Sequence, residues 1–140
     1  MLDNAFQPNG IIVMSVPFKK SIESLEDRFV IYAEAYQKLM REPVENIDRL
    51  KKAFKLSLIT FQTNIDSTME QLDKISKPIL IMYGELDEKL YKESGLRMVT
   101  SLNTKTELKG YKNSHHLMTS GKDRDLIQKD ILNFLNGLKW

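Results

Sequence analysis

Two short runs of apolar residues constrain the fold of this chain more than any other feature. The first extends from Ile11 to Val16 and the second from Pro78 to Tyr83. The first is nearly continuous and rich in β-branched residues, which is typical of a strand buried on both faces of a parallel sheet. The second has the same character, so the sequence predicts two such strands.

Between these runs, apolar residues recur at every third or fourth position, first from Ile22 to Leu39 and then from Ile47 to Leu72. This period predicts two amphipathic helices that pack as a hairpin. The second helix is either continuous or broken within residues 60–64, where helix propensity is weak. A helical layer that covers a core is the simpler interpretation of the same pattern.

Local residues suggest where these helices begin and end. Ser21 and Ser24 offer hydroxyls for an N-cap before the first helix. Pro43 either ends the first helix or begins the second, because proline suits a first helical turn.

After the second strand, the pattern alternates between helix and strand. We predict a helix over residues 88–102, an edge strand with one wet face over 104–111, and a final helix over 123–138. Gly95 within the first of these helices suggests that helix and sheet approach closely there. Strands that alternate with helices predict an α/β fold with three parallel strands.

Composition excludes several function classes. With 140 residues, the chain has room for one domain, and its 41% apolar content is enough for a packed core. The absence of cysteine excludes a disulfide scaffold, a cysteine nucleophile and a cysteine-ligated metal. A net charge of +2, with basic and acidic residues interleaved, does not favour nucleic-acid binding. No run approaches the roughly 20 apolar residues of a membrane helix, and no signal peptide is apparent. We therefore expect a soluble, cytoplasmic protein.

Candidate catalytic residues follow the two later strands. Asp87 comes directly after the second apolar run, and His115 and His116 follow the third predicted strand. Functional groups of open parallel sheets lie at the carboxyl ends of strands, so we expect Asp87 and one histidine side by side. An aspartate that binds the Nδ1–H of a histidine sets its tautomer and supports general-base catalysis.

Simpler interpretations exist for each residue taken singly. An aspartate after a strand is often a turn former, and adjacent loop histidines are usually solvated. A metal site is less favoured, because neighbouring histidines point apart and no third ligand has suitable spacing. The chain contains neither G-x-G-x-x-G nor a Walker-type motif, and we expect no cofactor.

The motifs resemble those of serine α/β-hydrolases, specifically the bacterial carboxylesterase and monoacylglycerol-lipase group. The similarity is carried by N-G-I-I-V-M-S-V-P at residues 9–17, K-P-I-L-I-x-x-G-x-x-D-E at 77–88, and S-x-H at 114–116. It extends over nearly the whole chain and implies the C-terminal part of a partial α/β-hydrolase fold. Residues 1–140 would form one partial domain with three parallel strands, flanking helices and a helical cap insertion at residues 19–73.

The resemblance also implies residue roles. Asp87 matches the acid of the Ser-His-Asp triad, and His116, two residues after Ser114, matches the base. The family usually has a small residue, often glycine, where this chain has His115. The nucleophile elbow G-x-S-x-G does not occur in the sequence. Ser15, predicted inside a strand, and Ser94, predicted inside a helix, do not match an elbow serine.

Two functions of different classes follow. The first is hydrolysis of short or medium acyl esters by a parent enzyme whose C-terminal portion supplies Asp87 and His116, so that this chain alone is inactive. Aromatic cap residues would then line an acyl pocket, although plain packing is the simpler role for most of them: Phe29, Tyr32, Tyr36, Phe54, Phe61, together with Met69. The second is a non-catalytic half-domain that associates with itself or with a partner.

Assembly is the last expectation. In the family, the strand from Ile11 to Val16 is an interior strand, whereas its upstream neighbour is absent from this sequence. An unpaired apolar strand edge is a template for pairing with another chain. We therefore predict a symmetric homodimer or larger oligomer, formed through this edge or through the cap helices. In the alternative, the helical hairpin covers the edge and the chain is monomeric.

Overall fold

The structure, a computed structural model, describes residues 8–41 and 47–139. In chain order, its elements are β1 (Ile11–Met14), α1 (Ile22–Met40), α2 (Ile47–Met69), a 3₁₀ turn (Leu72–Lys74), β2 (Ile79–Gly84), α3 (Lys89–Ser101), β3 (Thr106–Tyr111), a second 3₁₀ turn (Met118–Ser120) and α4 (Arg124–Asn136). These elements divide into two compact units. Residues 19–68, with α1 and all but the last residue of α2, form the helical unit, and the other described residues form the sheet unit.

The three strands form one parallel sheet in the order β1-β2-β3. In its register, Ile79 of β2 lies beside Ile11 of β1 and Thr106 of β3. All six residues of β2 are buried, as its unbroken apolar sequence predicts for the centre of a parallel sheet. The three-stranded parallel sheet that the sequence predicts is confirmed, and its carboxyl ends lie at one edge.

Alternate residues of β2 contribute to two separate apolar clusters. Leu80 and Met82 pack with Ile127 and Phe134 of α4. Ile79 and Ile81 pack in a second cluster, whose other buried members come from α3, its C-cap and the first 3₁₀ turn: Met98, Leu102 and Leu72. Because successive strand residues point to opposite faces, α3 and α4 cover opposite faces of the sheet.

The first strand differs from its predicted form. Strand β1 ends at Met14 rather than Val16, and its four residues are half-buried instead of buried on both faces. Among the described residues, β1 pairs only with β2. Ser15 follows the strand with a φ of 46°, in the left-handed region that residues other than glycine rarely adopt. The prediction that Ser15 lies inside a strand is therefore wrong, because the backbone turns there.

The helical unit contains the two long amphipathic helices that the sequence predicts. Ser21 caps α1, since its hydroxyl accepts a hydrogen bond from the Ser24 N–H at 3.2 Å. Helices α1 and α2 contact each other through the rings of Phe29 and Phe54, whose centroids are 5.0 Å apart. The predicted role of Pro43 falls outside the described residues. None of the helices that the structure describes is long and apolar enough to cross a membrane.

Helix α2 is continuous, so the predicted alternative of a break within residues 60–64 is wrong. The hydroxyls of Thr60 and Thr63 each donate to the carbonyl four residues earlier, at 2.9 Å, which keeps these polar side chains within the helical pattern. The helix ends at Met69, and Leu72 lies in the 3₁₀ turn that follows.

Helix α3 approaches the sheet closely at Gly95, as the sequence predicts. A Cβ atom at Gly95 would lie 2.8 Å from Leu108 Cδ1 and 3.5 Å from Ile81 Cγ2. A glycine within a helix forfeits about 1 kcal/mol of propensity relative to alanine. Here that loss is offset by close packing of the helix on β2 and β3.

A polar cluster fixes the carboxyl end of β3 to α4. Lys109 Nζ lies 2.7 Å from Asp130 Oδ1, and the buried Tyr111 hydroxyl donates to Asp130 Oδ2 at 2.8 Å. Burial, and then this hydrogen bond, raise the pKa of Tyr111, so its hydroxyl remains a donor. Burial acts to raise the pKa of Asp130, but hydrogen bonds from Lys109 and Tyr111 outweigh it and lower that pKa. The loop after β3 therefore begins at a fixed point.

Candidate active site

Asp87 lies in the turn that follows β2, at the carboxyl edge of the sheet. The turn is closed by a hydrogen bond from the Asp87 N–H to the Gly84 carbonyl, at 3.3 Å. The Asp87 side chain is only 8% exposed, and its Oδ1 accepts from the Glu88 N–H at 2.8 Å. A buried carboxylate requires such partners, because desolvation without hydrogen bonds is unfavourable. The bond from Glu88 fixes the carboxylate and directs Oδ2 to the next loop.

His116 occupies the position that Oδ2 faces. Its Nδ1 lies 2.9 Å from Asp87 Oδ2, so the structure brings the two predicted residues together. A ring that donates its Nδ1–H to a carboxylate keeps Nε2 unprotonated while it is neutral, and Nε2 can then accept a proton from a nucleophile. After that transfer, the carboxylate would stabilise the imidazolium. A pair with this geometry can act as a general base and its orienting acid.

His115 has a different partner. Its Nδ1 lies 3.1 Å from the carbonyl oxygen of Leu86, which can only accept, so Nδ1 is the protonated nitrogen of His115. The two adjacent histidines therefore contact neighbouring residues of the same turn, one a backbone carbonyl and the other the carboxylate of Asp87. The residue pattern alone leaves open which histidine pairs with Asp87, and in the structure this histidine is His116.

Tyr91 supports the ring of His116, and sequence reasoning missed it. The two rings have centroids 4.9 Å apart and an interplanar angle of 47°. Tyr91 is 5% exposed and lies in the first turn of α3, whereas the His116 side chain is 42% exposed. Aromatic contacts of this kind stabilise by about 0.5–1.5 kcal/mol. The one available signal was the position of Tyr91, four residues after Asp87 at the start of a helix.

The loop that carries the histidines is fixed at its start by Asp123, the N-cap residue of α4. Asp123 Oδ2 accepts from the Asn113 N–H at 2.7 Å and the Ser114 hydroxyl at 3.0 Å, and Oδ1 accepts from Asn113 Nδ2 at 3.0 Å. An acidic residue directly before a helix usually caps its first turn and is favourable for the helix dipole. Instead, the carboxylate makes no capping hydrogen bond to its own helix and binds the loop.

The predicted aromatic substrate-binding residues lie in the helical unit, whereas Met69 lies just outside it. Phe29 and Phe54 contact each other, while Tyr32, Phe54 and Phe61 are 60%, 44% and 51% exposed. Their role in an acyl pocket stays a prediction. Among the described residues, no group of three histidine, cysteine or acidic side chains could hold a metal ion.

Comparison with known proteins gives the relationship of the chain. No family model matches it. A carboxylesterase from Bacillus subtilis (strain 168) is 29% identical over 137 residues, which are 94% of this chain and 56% of that protein. The chain resembles the esterase-like α/β-hydrolases. It spans about half the length of this curated relative.

The solved structure of a human thioesterase supports the fold. The crystal structure of human thioesterase 2 matches 93% of this chain and 60% of its own with a TM-score of 0.54, at 12% identity. A structure from work on the metagenome-derived lipolytic enzymes LipS and LipT matches 56% of this chain and 31% of its own, with a TM-score of 0.47 and 25% identity. The predicted partial α/β-hydrolase fold, with three parallel strands and flanking helices, is confirmed.

Replacement of Gly84 by alanine should destabilise the chain where the acid turn (residues 84–88) meets the histidine loop (residues 112–117). A Cβ atom there would lie 2.7 Å from the carbonyl carbon of Ser114 and 2.8 Å from the carbonyl oxygen of His115. Since these are backbone atoms, the loop itself must move. We expect the free energy of unfolding, measured in urea, to fall by about 1–3 kcal/mol.

Gly121→Ala is the matched control for this substitution. The nearest atoms to a Cβ at Gly121 are 3.8 Å away, and we expect a change below about 0.5 kcal/mol. Equal effects of the two substitutions would contradict the proposed close approach at Gly84.

The loop should also respond to acid through Asp123. The pKa of Asp123 is lowered from 3.8, first by the hydrogen bond from the Asn113 side chain and further by those from the Asn113 N–H and Ser114. A carboxyl with a lowered pKa stabilises the fold at higher pH, and this contribution is lost as pH falls through the lowered value. The Asn113 amide shift in ¹H–¹⁵N spectra should therefore titrate with a midpoint below 3.8. Asp123→Asn should abolish this transition, and a midpoint of 3.8 or above would contradict the assignment.

Proposed function

We propose that the chain supplies the acid and base of a carboxylic-ester hydrolase, with His116 as general base and Asp87 as its orienting acid. The observation that supports this role is the 2.9 Å contact between His116 Nδ1 and Asp87 Oδ2, at the edge where parallel sheets hold functional groups. The similarity to a carboxylesterase supports ester hydrolysis as the reaction class. Short or medium acyl esters are the substrates we propose.

In each half of the reaction, His116 accepts one proton and then returns it. His116 Nε2 removes the proton from a serine hydroxyl as its oxygen attacks the ester carbonyl, and then returns this proton to the leaving alkoxide. Water repeats the sequence on the acyl-enzyme and releases the carboxylic acid. Asp87 remains ionised throughout and holds the imidazolium.

The nucleophile in this proposal comes from a G-x-S-x-G segment, which the sequence of this chain does not contain. Ser15 is the serine of this chain that lies directly after a strand with a left-handed backbone, as an elbow serine would. However, Ser15 is 7% exposed and its hydroxyl donates to the Met118 sulfur at 3.4 Å. We therefore assign Ser15 a packing role and not a nucleophilic one.

The test joins this chain to the part of the Bacillus subtilis carboxylesterase that it does not match, and follows hydrolysis of p-nitrophenyl butyrate. In an active fusion, His116→Ala and Asp87→Ala should each lower kcat by about 10⁴-fold. A serine-directed fluorophosphonate should label the fusion and not the isolated chain. Any hydrolysis of the ester by the isolated chain should not depend on Ser15. Its rate should therefore be the same for Ser15→Ala as for the unmodified chain.

His115→Ala is the matched control, because His115 occupies the same loop but binds the carbonyl of Leu86. It should change kcat by less than about tenfold. An active fusion that loses its activity with His115→Ala and keeps it with His116→Ala would disprove the assignment of the base.

A second candidate function, self-association of a non-catalytic half-domain, is supported by strand β1. Among the described residues this apolar strand pairs on one side only. The Ile11 N–H donates to the carbonyl of Pro78, just before β2, and the Ser15 N–H donates to that of Met82 within it, both at 2.9 Å. In a parallel strand the intervening even-numbered residues, Ile12 and Met14, direct theirs to the opposite side. A second copy could add a strand at that side, by pairing the two β1 edges.

Ile12→Pro tests this association. Proline removes the outward N–H of residue 12 and leaves the hydrogen bonds to β2 in place. Light scattering at micromolar concentration should show a dimer or larger oligomer for the unmodified chain and a smaller species for Ile12→Pro. Ile12→Val, which keeps the N–H, should associate as the unmodified chain does. A 16 kDa monomer at all concentrations would contradict obligate association.

A further inference from the structure

We propose that Asp123 is a positioning residue for His116, which it holds at Asp87 by anchoring the start of the histidine loop. This inference rests on the proposed function of the Asp87–His116 pair. The observation behind it is the use that Asp123 makes of its oxygens. Three donors bind this carboxylate, and all three belong to Asn113 and Ser114.

The position of Asp123 is itself fixed by the core. It immediately precedes α4, whose residues Ile127 and Phe134 are buried with Leu80 and Met82 of the central strand. The Ile127 N–H also donates to the Asp123 carbonyl at 2.9 Å, so the backbone of Asp123 continues into the helix. Its carboxylate therefore ties the irregular loop to a point that is fixed relative to the sheet and α4.

Ser114 transmits this position to the two histidines. It is completely buried, and its carbonyl accepts from the Leu86 N–H of the acid turn at 3.1 Å. The same carbonyl group packs against Gly84, where a Cβ would not fit. Asp123 thus holds Ser114 through its hydroxyl, and the acid turn holds it through its carbonyl. His116 follows only two residues later.

That short distance makes the anchor effective. Two residues of extended chain span roughly 7 Å, so an unanchored loop could move His116 well beyond hydrogen-bond reach of Asp87. A displacement of about 1 Å in a catalytic group can lower a rate by about 10²-fold. Downstream, Met118 is buried in the core with Leu80 and Ile127. Asp123 and Met118 therefore hold the two ends of the segment that carries His116, and we expect loss of the upstream anchor alone to displace the ring.

The experiment reads the tautomer of His116 in the 140-residue chain, by long-range ¹H–¹⁵N correlation of its ring at a pH where imidazoles are neutral. In the unmodified chain His116 should be mainly the Nδ1–H tautomer, because Asp87 accepts from Nδ1. Asp123→Ala should make this tautomer the minor form, since a solvated imidazole prefers the proton on Nε2. The far-UV circular dichroism spectrum should stay unchanged.

Asp125→Ala is the matched control. Asp125 lies in the same first turn of α4, its side chain is 86% exposed, and its carboxylate contacts only the neighbouring Arg124 among the contacts described. It removes the same charge near the helix N-terminus without touching the loop, so the His116 tautomer should be unchanged. An equal effect of Asp125→Ala and Asp123→Ala would overturn the proposal, because charge alone would then explain it.

Asp87→Ala separates this proposal from the proposed function. If Asp87→Ala shifts the tautomer and Asp123→Ala does not, the pair exists and Asp123 does not position it. If Asp87→Ala also leaves the tautomer unchanged, the pair itself is absent in solution, and both proposals fail. Should Asp123→Ala unfold the chain, Asp123→Asn replaces it. The asparagine side chain has the same size, but its NH₂ group faces the loop donors where Asp123 has an oxygen. The Nδ1–H fraction of His116 should therefore fall again. An unchanged fraction would overturn the proposal.

Discussion

The site depends on the burial of strand β2, which is covered on both faces and hydrogen-bonded on both edges. A strand in this environment has no freedom to shift by one residue, because a shift would exchange the faces to which Leu80 and Ile81 point. The register with β3 sets Gly84 beside Tyr111, so the acid turn and the histidine loop begin at adjacent points. The contact between Asp87 and His116 follows from this register and from two short loops.

Several bonds join those two loops, and the bond between Asp87 and His116 is only one of them. The Leu86 N–H donates to the Ser114 carbonyl, and His115 donates to the carbonyl of Leu86. Each bond limits the movement that would break the others, so the pair gains its geometry from its neighbours. His115, which occupies a position where the related family usually has a small residue, contributes one of these cross-loop bonds. Its departure from the family pattern is therefore compatible with the site.

Sequence reasoning succeeded where a local pattern determines the structure. The apolar run that begins at Pro78 predicted β2, and the helical and strand patterns after it placed Asp87 and the histidines at neighbouring strand ends. It failed where a tertiary contact decides. The backbone turn at Ser15, which ends β1 early, is accompanied by a contact to Met118, more than one hundred residues away. The loop-binding role of Asp123 depends on donors ten residues earlier, which no helix rule includes.

Both candidate functions require a further strand beside β1. The N–H groups of Ile12 and Met14 face away from β2, and an apolar strand with unpaired polar groups is stable only where water or another strand satisfies them. In a self-associating half-domain, the added strand would come from a second copy. In the hydrolase, the nucleophile must reach His116 Nε2 at the carboxyl edge, and a strand added beside β1 would end at this same edge if it ran parallel. The direction of the added strand therefore distinguishes them, because two β1 strands related by a two-fold axis perpendicular to the sheet run antiparallel and bring no nucleophile to His116.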